Sequence, residues 1–342
     1  MESVAPPDET VRAEAVARLA RLDLPVGSLG RLDDLVAWFA ACRGACPPPD
    51  PARARVVLFA ADHGVAAAGV SAAAPGATAE RVAAVRRGDA AVSAFARVAG
   101  ASVRVVDVGL AGAGPRPEDE PSSDRRAVRA GSGRIDREDA LTEDETGAAL
   151  DVGRAVADEE VDAGSDLLVA GELGVGVSTP VAVLAAAMTG REPVAVVGRG
   201  SGIDDPTWMR KTAAVRDALR RTRPVGRAPL PLLRVAGGAD LAALVGFLEQ
   251  AARRRTPVLL DGTAVTVAAL LADARTPGAA AWWTAASRDT EPAQALALEV
   301  LGLDPLLLLE MRAGQGTGAL AALPLLRMAV GTLAGTAGSD PP

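Results

Sequence analysis

Along residues 14–42 apolar side chains recur at helical spacing, with a break at Pro25-Val26-Gly27-Ser28-Leu29-Gly30. The pattern predicts two helices joined by a tight turn. Pro47-Pro48-Pro49-Asp50-Pro51 then stops the second helix, because proline has no amide hydrogen to donate and restricts the residue before it. Beyond that stop the period changes. Short runs at 56–60, 103–108, 167–170, 194–197 and 258–260 are mostly apolar on both faces and predict buried strands, with Ala-rich amphipathic stretches between them. This alternation signals βαβ units, so the expected fold class is α/β, a mostly parallel sheet with flanking helices. Residues 112–146 have no apolar period and are rich in Gly, Pro, Ser and acid, including Glu118-Asp119-Glu120. They predict a long surface excursion within one sheet domain, since the strand-helix pattern resumes unchanged after them. Residues 320–333 return to helical spacing and are expected to rejoin the first hairpin in a small helical subdomain.

Composition sharpens this picture. The 342 residues are 49% hydrophobic, with no Tyr, four Phe and four Trp, so the core must be built from closely packed small aliphatics. The net charge is −7 and the 36 Lys and Arg are scattered, which argues against nucleic acid as a partner. Pro6-Pro7-Asp8-Glu9 stands where a signal peptide would need an apolar stretch, and the longest later apolar runs are broken by Gly, Arg or Pro. The expectation is a cytoplasmic chain without a membrane span. Two cysteines, Cys42 and Cys46, and a single histidine leave a zinc site almost no ligands, so no metal is expected and both thiols read as ordinary.

Candidate chemistry sits where the predicted strands end. Ala61-Asp62-His63-Gly64 follows the first; Gly171-Glu172-Leu173-Gly174-Val175-Gly176-Val177-Ser178-Thr179 follows the third. Gly198-Arg199-Gly200-Ser201-Gly202-Ile203-Asp204-Asp205 and Asp261-Gly262 follow the next two, and Gly314-Gln315-Gly316-Thr317-Gly318 opens a late helix. Glycine lets backbone amides approach an anion, and a helix start adds partial positive charge, so Gly174, Gly176, Ser178 and Thr179 are candidate phosphate contacts. Arg199, Gly200 and Lys211 are candidates to complete that site with full charges and a further amide. Each loop alone is equally explained by an ordinary turn or cap; their succession at strand ends carries the inference. No Walker-A pattern and no full dinucleotide fingerprint is present.

Taken in order, Pro25–Gly30, Ala61-Asp62-His63-Gly64-Val65, Val105-Val106-Asp107-Val108-Gly109, 171–176, 198–205 and Gly316-Thr317-Gly318-Ala319 closely resemble the nicotinate-nucleotide:dimethylbenzimidazole phosphoribosyltransferase family, from about residue 25 to about 333. The resemblance implies a homodimer with a Rossmann-like domain, here 49–318, and a small helical domain formed by 1–48 and 319–342. It implies transfer of the ribosyl phosphate of nicotinate mononucleotide to a benzimidazole nitrogen, giving the α-linked nucleotide of the cobamide lower ligand, with no cofactor. Ser71, Asp261, Ser287, Arg312 and Gly316 are the further substrate-binding residues it suggests, and His63 is retained beside its reading as a hydrogen-bonded structural residue.

One departure is central. The family's glutamate base stands where this chain has Gln315, which cannot accept a proton near neutral pH. Glu172 and Glu80 are the candidate replacements. Glu172 follows a buried strand, so desolvation would raise its pKa, although the same position would suit a cap on neighbouring amides. Glu80, in Ala77-Thr78-Ala79-Glu80, stands where many members have glutamine, and reads equally as a first-turn helix acid. Three functions remain open: transfer to dimethylbenzimidazole or a related azole, transfer to another acceptor such as a purine or phenol, and a silent or heteromeric homologue that binds the nucleotide.

Overall fold

The computed structural model describes residues 3–111 and 124–335. Asp8 caps α1 (Glu9–Leu19) and α2 (Arg31–Arg43) ends at Gly44 in the left-handed conformation, giving the predicted hairpin. There follow β1 (Ala54–Ala61), α3 (Ala77–Arg87), α4 (Ala91–Ala99), β2 (Ser102–Gly109), β3 (Asp124–Arg125) and α5 (Glu143–Asp162), the last opened by a capping box of Thr142 and Glu145. The remainder is β4 (Leu167–Leu173), α6 (Ser178–Thr189), α7 (Pro193–Val196), α8 (Asp205–Thr222), α9 (Pro229–Ala236), α10 (Ala239–Arg253), β5 (Val258–Leu260), α11 (Thr263–Arg275), β6 (Trp283–Ala285), α12 (Pro292–Leu301) and α13 (Thr317–Gly335).

The six strands among the described residues run parallel in the order β3-β2-β1-β4-β5-β6. Strand order reverses between β1 and β4, and in such sheets ligands bind in the crevice at the carboxyl ends of the strands flanking that reversal. Val56 to Ala60 are fully buried, as strands covered by helices on both faces must be. The expected small-residue core is visible where α5 meets α10. A side chain on Gly153 would come within 1.9 Å of the Ala243 carbonyl oxygen, and one on Gly246 within 2.1 Å of that of Leu150.

Two sequence expectations are corrected. Residues 194–197 are not a strand: Pro193 starts α7, whose fixed φ suits a first helical turn, and Val194 is exposed. A four-residue apolar run does not by itself distinguish strand from helix. Within the stretch read as a surface excursion, 112–123, with Glu118-Asp119-Glu120, lies outside the described residues. Its continuation is partly internal, because β3 adds to the sheet edge and Ile135, Ala140 and Leu141 are buried. Ser132 donates its amide to the Asp62 carbonyl, which ties this segment to the end of β1.

α13 packs against α2 and α4, and Arg18 Nε donates to the Leu333 carbonyl at 2.8 Å. Among the described residues α13 is the one helix long and apolar enough to cross a membrane, but half of it is buried in the protein. Its Arg327 donates to the carbonyls of Pro51, Ala99 and Gly100, as a core helix does. Cys42 and Cys46 are both free, and burial pushes the Cys42 thiol far up.

Candidate active site

A cleft opens at the carboxyl ends of β4 and β5. Four of the glycine-rich loops meet there: 171–178, Gly200-Ser201, 261–265 and 311–315 with Thr317, together with Ser71 and Arg81. The Asp62-His63 turn lies beneath.

Local chemistry holds these loops in place. At the end of β1, Asp62 accepts from Thr78 Oγ1 and from the Ala111 amide, and Thr78 Oγ1 in turn accepts from the Val175 amide at 3.1 Å. This chain of bonds fixes the loop after β4. Asp261 accepts from Ser287 Oγ and, at 2.9 Å, from the Gly318 amide, so it caps the start of α13. A side chain on Gly318 would fall 2.2 Å from Ser287 Oγ. Burial raises the pKa of Asp261 against these hydrogen bonds. Gly314, Gln315 and Gly316 are all left-handed, with φ of 64°, 58° and 78°. That turn presses onto β4, where an added Cβ at Gly171 would lie 3.0 Å from the Gln315 carbonyl carbon and 2.5 Å from Leu58.

At the start of α6 a cationic corner forms. Lys211 is buried and its Nζ donates to the Gly198 carbonyl at 3.2 Å; burial lowers its pKa, and Glu291 opposes that. Gly200 packs on Ser178 Oγ and Lys211 Nζ, 2.9 and 3.3 Å from where its Cβ would stand. The Gly200 amide donates to Glu291 Oε1 at 2.7 Å. One ammonium, a hydroxyl and the first amides of α6 thus converge, which is the equipment of an anion site. Arg81 and Arg312 line the same cleft, exposed and without an ion pair among the described residues.

Glu172 is a half-buried carboxylate of the cleft, held by the Gly174 amide. Burial, reinforced by the Asp240 carboxylate, pushes its pKa up from 4.5 to about 7, against the pull of His63 and Arg81. A carboxyl group in that range can take up a proton and return it at neutral pH. Asp289 also lines the cleft and is raised by burial, but its oxygens accept from Thr263 and the Glu291 amide, capping α11.

Of the residues proposed from sequence, Glu172, Gln315, Gly174, Gly176, Ser178, Gly200, Asp261, Arg312 and Ser71 line the cleft. Thr179, Lys211, Ser287 and His63 are buried behind it, and Gly316 packs down on Val169. Two lie elsewhere. Glu80 is exposed on the face of α3 opposite Thr78, Val82 and Val85, and Arg199 is half exposed with its guanidinium on Asp205 and the Ile203 carbonyl. Arg81, Asp240, Asp289 and Glu291 were not singled out. Of these, Arg81 was open to detection, one helical turn past Thr78 on α3 and lining the cleft.

Comparison with known proteins agrees with this architecture. A family model described as phosphoribosyltransferase matches residues 4–340. The chain is 58% identical over 338 residues to the nicotinate-nucleotide–dimethylbenzimidazole phosphoribosyltransferase of Mycobacterium avium, covering 98% of this chain and 95% of that one. It is 56% identical over 337 residues to the protein of the same name from Mycobacterium tuberculosis, with 98% and 91% covered. The crystal structure of CobT from Thermus thermophilus superposes with a TM-score of 0.90 at 40% identity, over 96% of this chain and 97% of that one. With full-length agreement in sequence and in fold, the chain belongs to the family of nicotinate-nucleotide–dimethylbenzimidazole phosphoribosyltransferases, enzymes of cobamide lower-ligand activation.

Proposed function

We propose that this enzyme moves the ribosyl phosphate of nicotinate mononucleotide onto a ring nitrogen of dimethylbenzimidazole or a related azole, with Glu172 as the base. The phosphate occupies the corner of Ser178, Gly200 and Lys211, beside the Gly174 and Gly176 backbone, which lines the same cleft. Arg81 and Arg312 face the nicotinate carboxylate or the outer phosphate oxygens.

The C1′–N bond to a cationic pyridinium breaks, and its electron pair leaves with neutral-ring nicotinate, so the leaving group needs no acid. Positive charge develops on the ribosyl carbon and is stabilised by the cleft carboxylates. The acceptor's lone-pair nitrogen forms the new bond, and the proton on its other nitrogen passes to Glu172. The observation that carries the base assignment is the position of Glu172 in the cleft with a pKa of about 7, while Gln315 is a carboxamide and Glu80 faces solvent.

Nicotinate release from the mononucleotide, followed with a panel of azoles, purines and phenols, tests this reading. Glu172→Gln should lose at least ~100-fold in turnover, the usual contribution of a general base. Gln315→Glu should not raise turnover at neutral pH, because a further carboxylate in the cleft makes Glu172 harder to ionise. A clear gain in Gln315→Glu, with Glu172→Gln little affected, would return the role to position 315. Nucleotide binding without release in any variant would mark a silent homologue.

Two further proposals accompany this reading. The enzyme is cytoplasmic, consistent with α13 serving as a core helix. It is a homodimer, supported by exposed apolar residues on and beside α1 and α13, namely Val16, Val26 and Met328. Light scattering should give twice 34.5 kDa.

A further inference from the structure

Beneath the cleft lies a pair of side chains that the reaction does not touch. His63 Nε2 meets Asp240 Oδ2 at 2.9 Å, and the two residues are 3% and 0% exposed. Space for the imidazole is made by two glycines. A Cβ on Gly174 would come within 3.1 Å of Nε2, and one on Gly238 within 2.7 Å of Cε1. Gly174 also donates its amide to Glu172, so the imidazole and the carboxylate share that one residue, packed on it and hydrogen-bonded to it. Asp240 is held from its other oxygen by the Leu241 amide at 2.9 Å, in the first turn of α10.

The fold alone does not account for this arrangement. Buried ion pairs are on average no more stabilising than well-packed apolar residues of the same volume, and His63 Nδ1 is buried without a partner among the described residues. We propose that His63 and Asp240 are positioning residues for Glu172, a buried pair that decides how readily that carboxylate takes the acceptor's proton. The inference rests on the reading of Glu172 as the base.

The charged groups that bear on the three side chains come from four directions: Asp62 and His63 at the end of β1, Arg81 from α3, Glu172 from β4 and Asp240 from α10. Their signs differ. Asp240 disfavours ionised Glu172, whereas His63 favours it. Burial works against a charged His63, but Asp240, Glu172 and Asp62 together outweigh it and hold its pKa above the ordinary value. Coupling of this kind is reciprocal, so Glu172 acts on His63 as His63 acts on Glu172.

The test uses the full-length enzyme and two readouts. In the pH profile of kcat, Asp240→Asn should move the acid limb down, and His63→Gln should move it up, each by ~0.5–1 pH unit. A merely structural role would lower activity in both without opposite displacements. The second readout needs no activity: His63 is the only histidine, so its imidazole resonances are unambiguous in NMR. Its titration midpoint should fall in Glu172→Gln, which removes a neighbouring anion. Limbs that stay in place in folded variants, with an unmoved His63 midpoint, would overturn the proposal. If Asp240→Asn does not fold, His63→Gln and the NMR titration still decide. The base reading fails separately, if Glu172→Gln keeps both its turnover and its acid limb.

Discussion

Replacing Glu172 by glutamine should make the protein more stable while it destroys activity. The carboxyl group has an ordinary pKa of 4.5 and one of about 7 in the folded protein, raised first by burial and then by Asp240. A folded state that binds its proton more tightly than the unfolded chain loses stability as pH rises through the window between those two values. Below about 4.5 the group is protonated in both states and contributes nothing; above about 7 the full penalty is present. Each pKa unit corresponds to about 1.4 kcal/mol, so the penalty is about 3 kcal/mol. Glutamine keeps the shape and an oxygen for the Gly174 amide without the charge. With ~2.1 cal/mol/K of unfolding entropy per residue, a chain of 342 residues has about 0.7 kcal/mol/K, and about 3 kcal/mol becomes a rise of about 4 °C in Tm. Thermal unfolding of both proteins between pH 4 and pH 9 should give curves that coincide at the acid end and separate progressively until about pH 7. Parallel curves across the whole range would show that Glu172 ionises in the folded protein as it does in water, and the reasoning would fail.

Three other outcomes are expected. Lys211→Ala should weaken nicotinate mononucleotide binding by roughly 10- to 100-fold by calorimetry, since it removes one of several charge-assisted contacts; unchanged affinity would remove Lys211 from the phosphate site. Gly318→Ala should lower stability by at least ~2 kcal/mol, seen as a fall in Tm, because its methyl group would collide with Ser287 and Asp261 at the cap of α13. Glu80→Gln should leave kcat and KM within about twofold of wild type, as expected of an exposed first-turn acid away from the cleft.

The two helices of the first hairpin, the strands at 56–60, 103–108, 167–170 and 258–260, and the closing helix were legible because each has several residues of one unambiguous period. β3 was not, being two residues long, and β6, as short as β5, lacks the uniform run of branched apolar residues that marks 258–260; the apolar run after Pro193 has that character but stands in a first helical turn. Most cleft residues were legible as loop glycines and their neighbours, since chemistry at strand ends concentrates in short segments. Asp240 and Glu291 were missed because each stands at a helix start, where its local pattern is that of any cap or first-turn residue, and Asp289 because it caps α11 from a loop; Arg81, in the second turn of α3, was the one open to detection. What makes Asp240 notable is His63, 177 positions away in the chain, and only the folding of β1 against α10 brings the two together. Glu80 shows the converse. Its sequence context was suggestive, but the helical repeat turns it away from Thr78, and geometry overrides chemical plausibility.

The turn at Gly314-Gln315-Gly316 also bears on how this enzyme can diverge. With φ of 58° at Gln315, any side chain there accepts a backbone conformation that β-branched residues strongly resist. The position therefore screens newcomers by shape before chemistry. Glutamine and glutamate are nearly identical in outline, so a single exchange between them leaves the turn intact while adding or removing an ionisable group at the mouth of the cleft. Valine, isoleucine or threonine would break the turn first. Position 315 is thus one where catalytic character can drift over evolutionary time with little effect on the fold, provided that a second carboxylate, here Glu172, stands near enough to carry the proton meanwhile.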